Sequence, residues 1–240
     1  MKKTFHLTVA FCGVLLCYAQ VYAQPGAVQP ATADSSMPVS LFYKSISENA
    51  HLYNGTEYIM YDQHIKGDPY FITEVTSGSV YYDGTLYKNV PMLYELTSGN
   101  LVVRRYDGGV LMCLIKEKVG SFNLYNHTFI HLVPDSGNTV ITNDFYDRIY
   151  NGKNAIYVRR QKILYEDPAT YERSFLINDK YVIYKNNAWY PVSSEGDVLK
   201  LFKDHKKEIT KYLRQNKIKY KKAPEYAMVK MAEYYDTLTH

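Results

Sequence analysis

The sequence predicts an α+β protein in which a mainly antiparallel β domain precedes two C-terminal helices. Three observations support this prediction. Tyrosine accounts for 26 of the 240 residues, Asn-Gly and Asp-Gly turns recur between short β-rich runs, and the spacing of apolar residues becomes helical after residue 193. Aromatic rings pack well on a half-buried pleated surface. Short strands joined by tight turns indicate a meander, closed as a barrel or paired as a sandwich.

The composition is that of an ordinary globular protein, with 46% hydrophobic and 22% charged residues. Collagen-like, disordered and low-complexity chains are therefore excluded. A membrane barrel is the main competitor, and its strands would need about 9–11 residues, each with a lipid-facing apolar row. The β-rich runs here cover roughly five or six residues, and the mean hydropathy is −0.34. A soluble β domain is the favoured interpretation.

Residues 1–23 have the pattern of a secretory signal peptide. A short basic start, Met1-Lys2-Lys3, precedes an apolar run from Leu7 to about Ala19, and the small residue Ala23 marks the predicted cleavage point. The apolar run is too short for a membrane anchor, which needs about 20 apolar residues. We therefore expect export to the periplasm or the extracellular space, with outer-membrane association left open and no transmembrane segment in the mature chain.

Cleavage after Ala23 changes the charge and the cysteine count. Two lysines and no acidic residues leave with the signal peptide, so the net charge falls from +4 to +2. Cys12 and Cys17 leave as well, which makes an intramolecular disulfide impossible in the exported chain. Cys113 remains inside the apolar run 110–115 and is expected to be a buried packing residue.

The mature chain divides into three predicted segments. Residues 24–38 are rich in Ala, Gln, Pro, Ser and Thr, which predicts a flexible linker. Residues 39–192 form the predicted β-rich domain, with a short helix near its start over 39–50. Residues 193–240 form the predicted helical segment, packed on the β domain.

The clearest hairpin of the β-rich domain joins Val80–Tyr82 to Thr85–Tyr87 through Asp83-Gly84. Asp-Gly tolerates the positive φ angles that a two-residue hairpin turn requires. Further strands are predicted over Tyr70–Val75, Met92–Leu96, Leu101–Arg105, Val110–Ile115, Phe129–Val133, Ala155–Arg159 and Tyr181–Tyr184. Adjacent strand residues point to opposite faces, so some tyrosines must line a surface or a cavity. The tyrosines concerned are Tyr81, Tyr82, Tyr87 and Tyr94.

The helical segment begins with a capping-box pattern, Ser194-Glu-Gly-Asp197. Apolar residues from Val198 to Leu213 then recur at steps of three and four, which predicts one amphipathic helix. Pro224 opens a second predicted helix, with an apolar side from Ala227 to Leu238. Both apolar faces require burial, against the β domain or against each other.

Charge is segregated along the chain. Residues 200–222, which we call the basic segment, contain ten lysines and arginines against two acidic residues, a net charge of +8. Residues 24–197 contain 15 basic and 19 acidic residues, a net charge of −4. A dense cationic face attracts polyanions through counterion release. The predicted polyanion contacts are Lys203, Lys206, Lys207, Lys211, Arg214 and Lys217. The simpler alternative is a solvated helix face that complements the acidic body.

No motif in the sequence identifies a catalytic, cofactor or metal site. The nucleophile-elbow, zinc-protease, Cys-x-x-Cys and phosphate-loop patterns are missing, so no catalytic residue and no cofactor is predicted. His127 and His131 are four residues apart, which on a strand is about 13 Å and too far to bind one metal ion. Asp62 and His64 could share an ion, but no third ligand is identifiable.

Two carboxylate pairs deserve separate mention, because glycoside hydrolysis uses paired carboxylates. They are Asp144 with Asp147 and Glu166 with Asp167. A chain with 24 acidic residues contains such pairs by chance. We therefore expect both pairs to lie in loops without a catalytic role.

Several short motifs recur together in one known group of proteins. They are the run 181–190, the lysine-rich helix from Val198 to Ile209, Asn216-Lys-Ile-Lys-Tyr220, Asn54-Gly55 before Glu57-Tyr58, and Tyr82-Asp83-Gly84 before Val90-Pro91. In these motifs, which cover about half of the chain, the sequence resembles uncharacterised exported envelope proteins of Bacteroidota. The resemblance implies a β-rich body, a lysine-rich helix and an envelope or secreted setting. It assigns no functional residue.

The sequence therefore predicts an exported, non-enzymatic envelope or secreted protein that binds a ligand or partner, with the basic helix as the candidate contact. The expected partners are an anionic envelope glycan, a lipid headgroup or another envelope protein. Nucleic acid is not expected, because an exported protein rarely meets it and no recognition motif is present. The alternatives are a hydrolase that acts on cell-envelope polymer and a structural or assembly component.

Overall fold

The computed structural model describes residues 51–105 and 108–239. The predicted signal peptide (1–23), linker (24–38) and short helix (39–50) lie outside these residues. The described residues all belong to one unit, Lys44–His240.

The described chain forms thirteen strands, eleven of them in one sheet. Their bounds are β1 Thr56–Glu57, β2 Thr76–Tyr82, β3 Thr85–Glu95, β4 Asn100–Arg104, β5 Leu111–Cys113, β6 Val119–Leu124, β7 His127–Leu132, β8 Asp144–Tyr150, β9 Ala155–Arg159, β10 Lys162–Glu166, β11 Arg173–Ile177, β12 Lys180–Lys185 and β13 Ala188–Val192. The large sheet has the order β1-β5-β4-β3-β2-β6-β7-β8-β9-β12-β13, and β10 pairs with β11 separately. All pairings between these strands are antiparallel, so the predicted antiparallel β architecture is confirmed.

Two-residue turns with left-handed backbone close two of the hairpins. Asp83 and Gly84 join β2 to β3 with φ angles of 49° and 81°, as the Asp-Gly pattern predicts. Asn186 and Asn187 join β12 to β13 with φ angles of 49° and 60°. Asparagine tolerates this conformation better than most residues. The second turn places Lys185 and Asn186 beside the helices.

An aromatic cluster fills the core between the middle strands of the sheet. Phe122 and Phe129 stack with ring centroids 4.7 Å apart. The ring of Tyr94 meets both of them edge-on, at 5.1 and 4.9 Å, and Phe145 packs edge-on against Phe122 at 5.2 Å. Edge-to-face pairs of this kind each contribute roughly 0.5–1.5 kcal/mol beyond the area they bury.

Tyrosines lie on both sides of the sheet, as the alternation of strand residues predicts. Tyr82, Tyr87 and Tyr94 are buried, whereas 46% of Tyr81 is exposed. The hydroxyls of Tyr82 and Tyr94 are buried without a hydrogen-bond partner in the described part of the chain.

Several strands differ from the prediction. Residues 70–75 are not a strand, since β2 begins at Thr76 and only Tyr70 makes an isolated bridge, to Glu95. Conversely, the prediction missed six strands: β1, β6, β8, β10, β11 and β13. The missed β8 contains two aspartates, which single-residue preferences place in turns. Pairing with β7 and β9 overrides that preference.

The C-terminal segment forms three α-helices rather than two. They are α1 Glu195–Leu201, α2 Lys206–Gln215 and α3 Pro224–Leu238, and a 3₁₀ turn, Lys203–His205, separates the first two. The predicted capping box is present at Ser194 and Asp197. The predicted single helix breaks at Phe202, whose backbone leaves helical geometry (φ −102°, ψ 37°). Its buried ring stacks on Tyr235 of α3 with centroids 4.3 Å apart.

The helices pack against one end of the large sheet. One buried apolar cluster joins the helices to the last strands of the sheet, β9, β12 and β13. It contains Val198, Phe202, Ile209, Leu213, Met228 and Met231 from the helical segment, and Ile156, Ile183 and Val192 from the strands. Tyr212 and Tyr234 add a stacked pair, 4.3 Å apart, between α2 and α3. The apolar side of α2 is therefore packed in the core, and its other side faces solvent.

Candidate polyanion-binding surface

The basic segment runs from the last turn of α1, through α2, to the start of α3. All ten of its lysines and arginines are exposed. Ile209 and Leu213 face the core. The opposite side of the helix carries one row of cations, Lys207, Lys211 and Arg214. Their spacing of i, i+4 and i+7 places them on the same face. An amphipathic helix thus presents a continuous cationic row.

None of the ten lysines and arginines of the basic segment makes an ion pair with a described residue, although they stand beside an acidic body. The segment's own Asp204 contacts His205 and Tyr235 instead. A face that served to neutralise the acidic body would place its lysines on the body's carboxylates. These cations are left available for an external anion.

The six predicted contact residues occupy three positions. Lys206, Lys207, Lys211 and Arg214 lie on α2, Lys203 lies in the 3₁₀ turn before it, and Lys217 follows its end. Lys217 has a left-handed backbone, with φ of 56°. Helical spacing brings the residues of the row on α2 together, whereas Lys203 lines a separate pocket.

That pocket, which we call the lysine pocket, has a volume of about 610 Å³. It lies where the β12–β13 turn, the end of α1 and the last turn of α3 meet. Four lysines and one aspartate line it: Lys153, Lys185, Lys200, Lys203 and Asp204. Sequence reasoning did not find it, because Lys153 and Lys185 are distant along the chain from the basic segment and no local signal joins them.

Lys185 forms the floor of the lysine pocket. Its Nζ donates hydrogen bonds to the Leu201 carbonyl oxygen at 3.1 Å and to the Tyr235 hydroxyl at 2.7 Å. It also lies 4.2 Å from the centroid of the Tyr235 ring, a cation–π contact. Burial lowers the pKa of Lys185, although the carboxylates of Asp204 and Asp236 oppose the shift. Its hydrogen-bond partners are neutral, so this half-buried cation lacks a direct counter-ion among the described residues.

Tyr235 links Lys185 to Asp204. The hydroxyl of Tyr235 donates to Asp204 Oδ2 at 2.8 Å. Burial, together with the hydrogen bond to Asp204, raises the pKa of Tyr235 to about 12, so the hydroxyl stays protonated at neutral pH. Burial opposes ionisation of Asp204, but the same hydrogen bond helps to lower its pKa. The pocket lining therefore keeps a charge of +3 when its lysines are protonated.

A second charged group, the arginine cluster, consists of Arg160 with Asp147, Asp179 and Glu225. Arg160 Nη2 lies 2.7 Å from Asp147 Oδ2, and Nη1 lies 3.1 Å from Asp179 Oδ2 and also contacts Glu225. Burial opposes the charge of Arg160, yet its hydrogen bonds to Glu225 and Asp147 raise its pKa. The cluster joins β8 and the loop before β12 to the first turn of α3.

The predicted loop position of Asp144 and Asp147 is wrong. Both lie on β8, and both are buried, at 6% and 1% exposure. Asp144 accepts hydrogen bonds from Lys116 and Arg159, each at 2.6 Å. The cations lie on other elements, and strand pairing brings them to the carboxylates. Glu166 ends β10, and Asp167 lies in the turn after it, where its carboxylate accepts from the Ala169 backbone N–H.

Glu225 of the arginine cluster does not have the raised pKa that a general acid requires. A general acid needs a carboxyl group whose pKa is raised. Although burial of Glu225 would raise its pKa, the Arg160 guanidinium lowers it overall. This carboxylate is therefore held in its ionised form by an internal cation.

The histidine candidates each have a protein partner. His127 Nδ1 lies 2.8 Å from Asp147 Oδ2, and His131 Nε2 lies 2.6 Å from Asn143 Oδ1. Asp62 and His64 contact one another at 2.7 Å on the surface. Across residues 51–105 and 108–239 no group of three or more His, Cys, Asp and Glu side chains could hold a metal ion. Cys113 is half-buried on β5, and burial raises the pKa of its thiol.

The fold and this surface define an antiparallel β protein with a basic helical face. No known protein family, curated protein or solved structure matches the chain. Within the described residues no helix combines the length and apolar character needed to cross a bilayer.

Proposed function

We propose that this protein is an exported, non-enzymatic envelope or secreted protein that binds an acidic glycan through the basic segment. One observation carries the proposal: ten exposed lysines and arginines lie together and make no ion pair with the described residues. A cationic row of this density attracts a polyanion and releases its counterions, which makes binding salt-dependent.

A polymer in solution fits this surface better than a lipid bilayer does. A helix that binds a membrane interface buries an apolar face among the acyl chains. On α2 that face, with Ile209 and Leu213, is already packed in the core. The charged row offers electrostatic attraction alone, which suits an extended acidic chain.

The setting of the proposed function rests on the sequence. The N-terminal pattern supports export, and the resemblance to exported proteins of Bacteroidota supports an envelope location in such a bacterium. For the sheet, we propose closure as a barrel or folding as a sandwich, and the aromatic cluster built from β3, β6, β7 and β8 supports this.

Retention on a polygalacturonate column tests the function directly. The mature chain should bind at low salt and elute as the salt concentration rises. The Lys206→Gln/Lys207→Gln/Lys211→Gln variant should bind roughly a hundredfold more weakly, since each of the three lysines near an anionic surface contributes about 1 kcal/mol. Its affinity should also depend less steeply on salt.

The matched control removes the same charge from the β body. Lys66, Lys88 and Lys180 are exposed, and the Lys66→Gln/Lys88→Gln/Lys180→Gln variant should keep most of the affinity. Equal losses of affinity in the two triple variants would show that net charge alone determines binding. That result would contradict a defined binding surface. Stronger binding to phosphatidylglycerol vesicles than to the glycan would replace the proposed partner with a membrane.

A further inference from the structure

The lysine pocket contains groups whose role the fold does not explain. Lys153 Nζ donates to the Thr239 carbonyl oxygen at 2.9 Å, and Lys185 donates to that of Leu201. Each of these lysines therefore caps the C-terminal end of a helix, a stabilising arrangement. Lys200 and Lys203 are exposed and have no partner among the described residues. Two cations at the rim of one pocket are thus unassigned.

The rest of the rim is suited to a sugar. Tyr190 of β13 lines the lysine pocket and is 38% exposed, which leaves part of its ring open to a ligand. A flat ring with a polar tip suits contacts that are apolar at one end and wet at the other. Asn186, held in the β12–β13 turn, presents an exposed amide at the same rim. An amide both donates and accepts hydrogen bonds, as the hydroxyl groups of a sugar do.

Size and charge agree with this chemistry. Small-molecule pockets measure about 300–1,000 Å³, and this one measures about 610 Å³. At the floor, Lys185 donates a hydrogen bond to Tyr235, and Tyr235 donates one to Asp204. An incoming carboxylate would meet Lys200 and Lys203 at the rim and the incompletely neutralised Lys185 below.

We propose that the lysine pocket binds a single uronic acid unit of the glycan, with its carboxylate between Lys200 and Lys203 and its ring against Tyr190. This inference rests on the proposed function and deepens it, since it names the sugar class. Lys203 belongs both to the pocket and to the basic segment, so a chain that follows the cationic row of α2 can reach the pocket with one residue.

Calorimetric titration of the mature chain with trigalacturonate tests the proposal. We expect saturable binding with one site per chain, and no binding of the neutral trisaccharide of galactose. The Lys200→Gln/Lys203→Gln variant should bind at least about tenfold more weakly, as loss of two charge-assisted contacts implies. Tyr190→Ala should weaken binding as well. Because this substitution changes no charge, such a loss would exclude a purely electrostatic effect.

The control is Lys219→Gln/Lys222→Gln, which removes two charges from the basic segment outside the pocket lining and should leave trigalacturonate binding unchanged. Equal loss in both double variants, or competition by inorganic phosphate as strong as that by galacturonate, would overturn the sugar pocket. If polygalacturonate is retained while trigalacturonate shows no saturable binding, the pocket proposal fails and the proposed function stands. If neither binds, both fail.

Discussion

The β body and the basic segment treat positive charge in opposite ways. In the body, at least seven lysines and arginines form ion pairs with aspartate or glutamate: Lys66, Lys116, Lys118, Arg159, Arg160, Lys162 and Arg173. In the basic segment, no such pair occurs among the described residues. The cations of the body pair with the body's own carboxylates, whereas the lysines and arginines of the basic segment face solvent.

Charge therefore has two roles in this protein. Paired charges stabilise the fold, and exposed charges without a partner are available for binding. A buried ion pair loses hydration, and it holds together only because both partners are present. Asp147 illustrates the cost, since its Oδ1 is buried without a hydrogen-bond partner in the described part of the chain. An exposed cation without an ion-pair partner has no such dependence and is free to serve recognition. Stability and binding should therefore respond to different substitutions.

Replacing Arg160 should give the largest loss of stability. Its side chain is 9% exposed, and that of Asp147 is 1% exposed. Arg160→Met would leave the aspartate buried with only His127 beside it, so we expect the free energy of unfolding to fall by about 3–5 kcal/mol. Urea unfolding measures this. Arg214→Met, the same substitution in the basic segment, should change stability by less than about 0.5 kcal/mol; similar losses at both positions would erase the contrast.

Asp144→Asn should have the next largest effect. The substitution keeps the shape but removes the charge that Lys116 and Arg159 share, and these cations are 23% and 25% exposed. Since both can partly reach water, we expect a loss of about 2 kcal/mol in urea unfolding. Asp83→Asn is the control, because its pair with Lys118 has a similar distance, 2.7 Å, but lies at the surface. That variant should lose less than about 1 kcal/mol, and an equal loss would show that burial is not decisive.

Local sequence signals anticipated the cationic row of the basic segment and individual turns of the body, but they missed the ion pairs of the body. The turn at Asp83-Gly84, the capping box at Ser194 and the cationic row of α2 all follow from residues close together in the chain. Each depends on backbone preference or helical periodicity, which a short stretch of sequence contains.

The ion pairs of the body could not be predicted in the same way. Asp144 and Asp147 look like loop residues until β8 pairs with β9 and brings Arg159 and Arg160 beside them. The lysine pocket has the same origin, since Lys153, Lys185 and Lys203 meet only when three elements pack together. Long-range pairing decides these contacts, and a single sequence does not display it.

The pH dependence of stability should distinguish Glu225 from an exposed acid. The Arg160 guanidinium holds the pKa of Glu225 below its ordinary value in the folded protein. Its ionised form therefore stabilises the fold above the ordinary glutamate pKa of about 4.3, and this contribution is lost as the pH falls through the folded pKa. Unfolding measured from pH 7 to pH 3 should show a difference between the native protein and Glu225→Gln that shrinks below about pH 4.3.

The control for this pH profile is Glu74→Gln, in the segment before β2. Glu74 is exposed and has no ion-pair partner in the described residues. Its substitution should shift stability equally little at all pH values. A gap between the native protein and Glu225→Gln that is independent of pH would mean that the carboxylate does not contribute through its charge.

The smallest effect has the most informative sign. Lys207 and Lys211 are like charges four residues apart on α2, an arrangement that destabilises a helix by roughly 0.2–0.5 kcal/mol. Lys207→Glu would replace this repulsion with an attractive pair and place an acidic residue in the first turn, where the helix dipole favours it. We expect a gain of about 0.5 kcal/mol in the free energy of unfolding, together with weaker retention on polygalacturonate.

Lys207→Gln separates the two contributions to that gain. It removes the repulsion without adding an attraction, so its stability should fall between that of the native protein and that of Lys207→Glu. A loss of more than about 0.5 kcal/mol in either variant would show that Lys207 supports the fold. A gain in stability with a loss of binding would mean that this face keeps its positive charge at the expense of stability, which recognition of an anion explains and solvation of a helix does not.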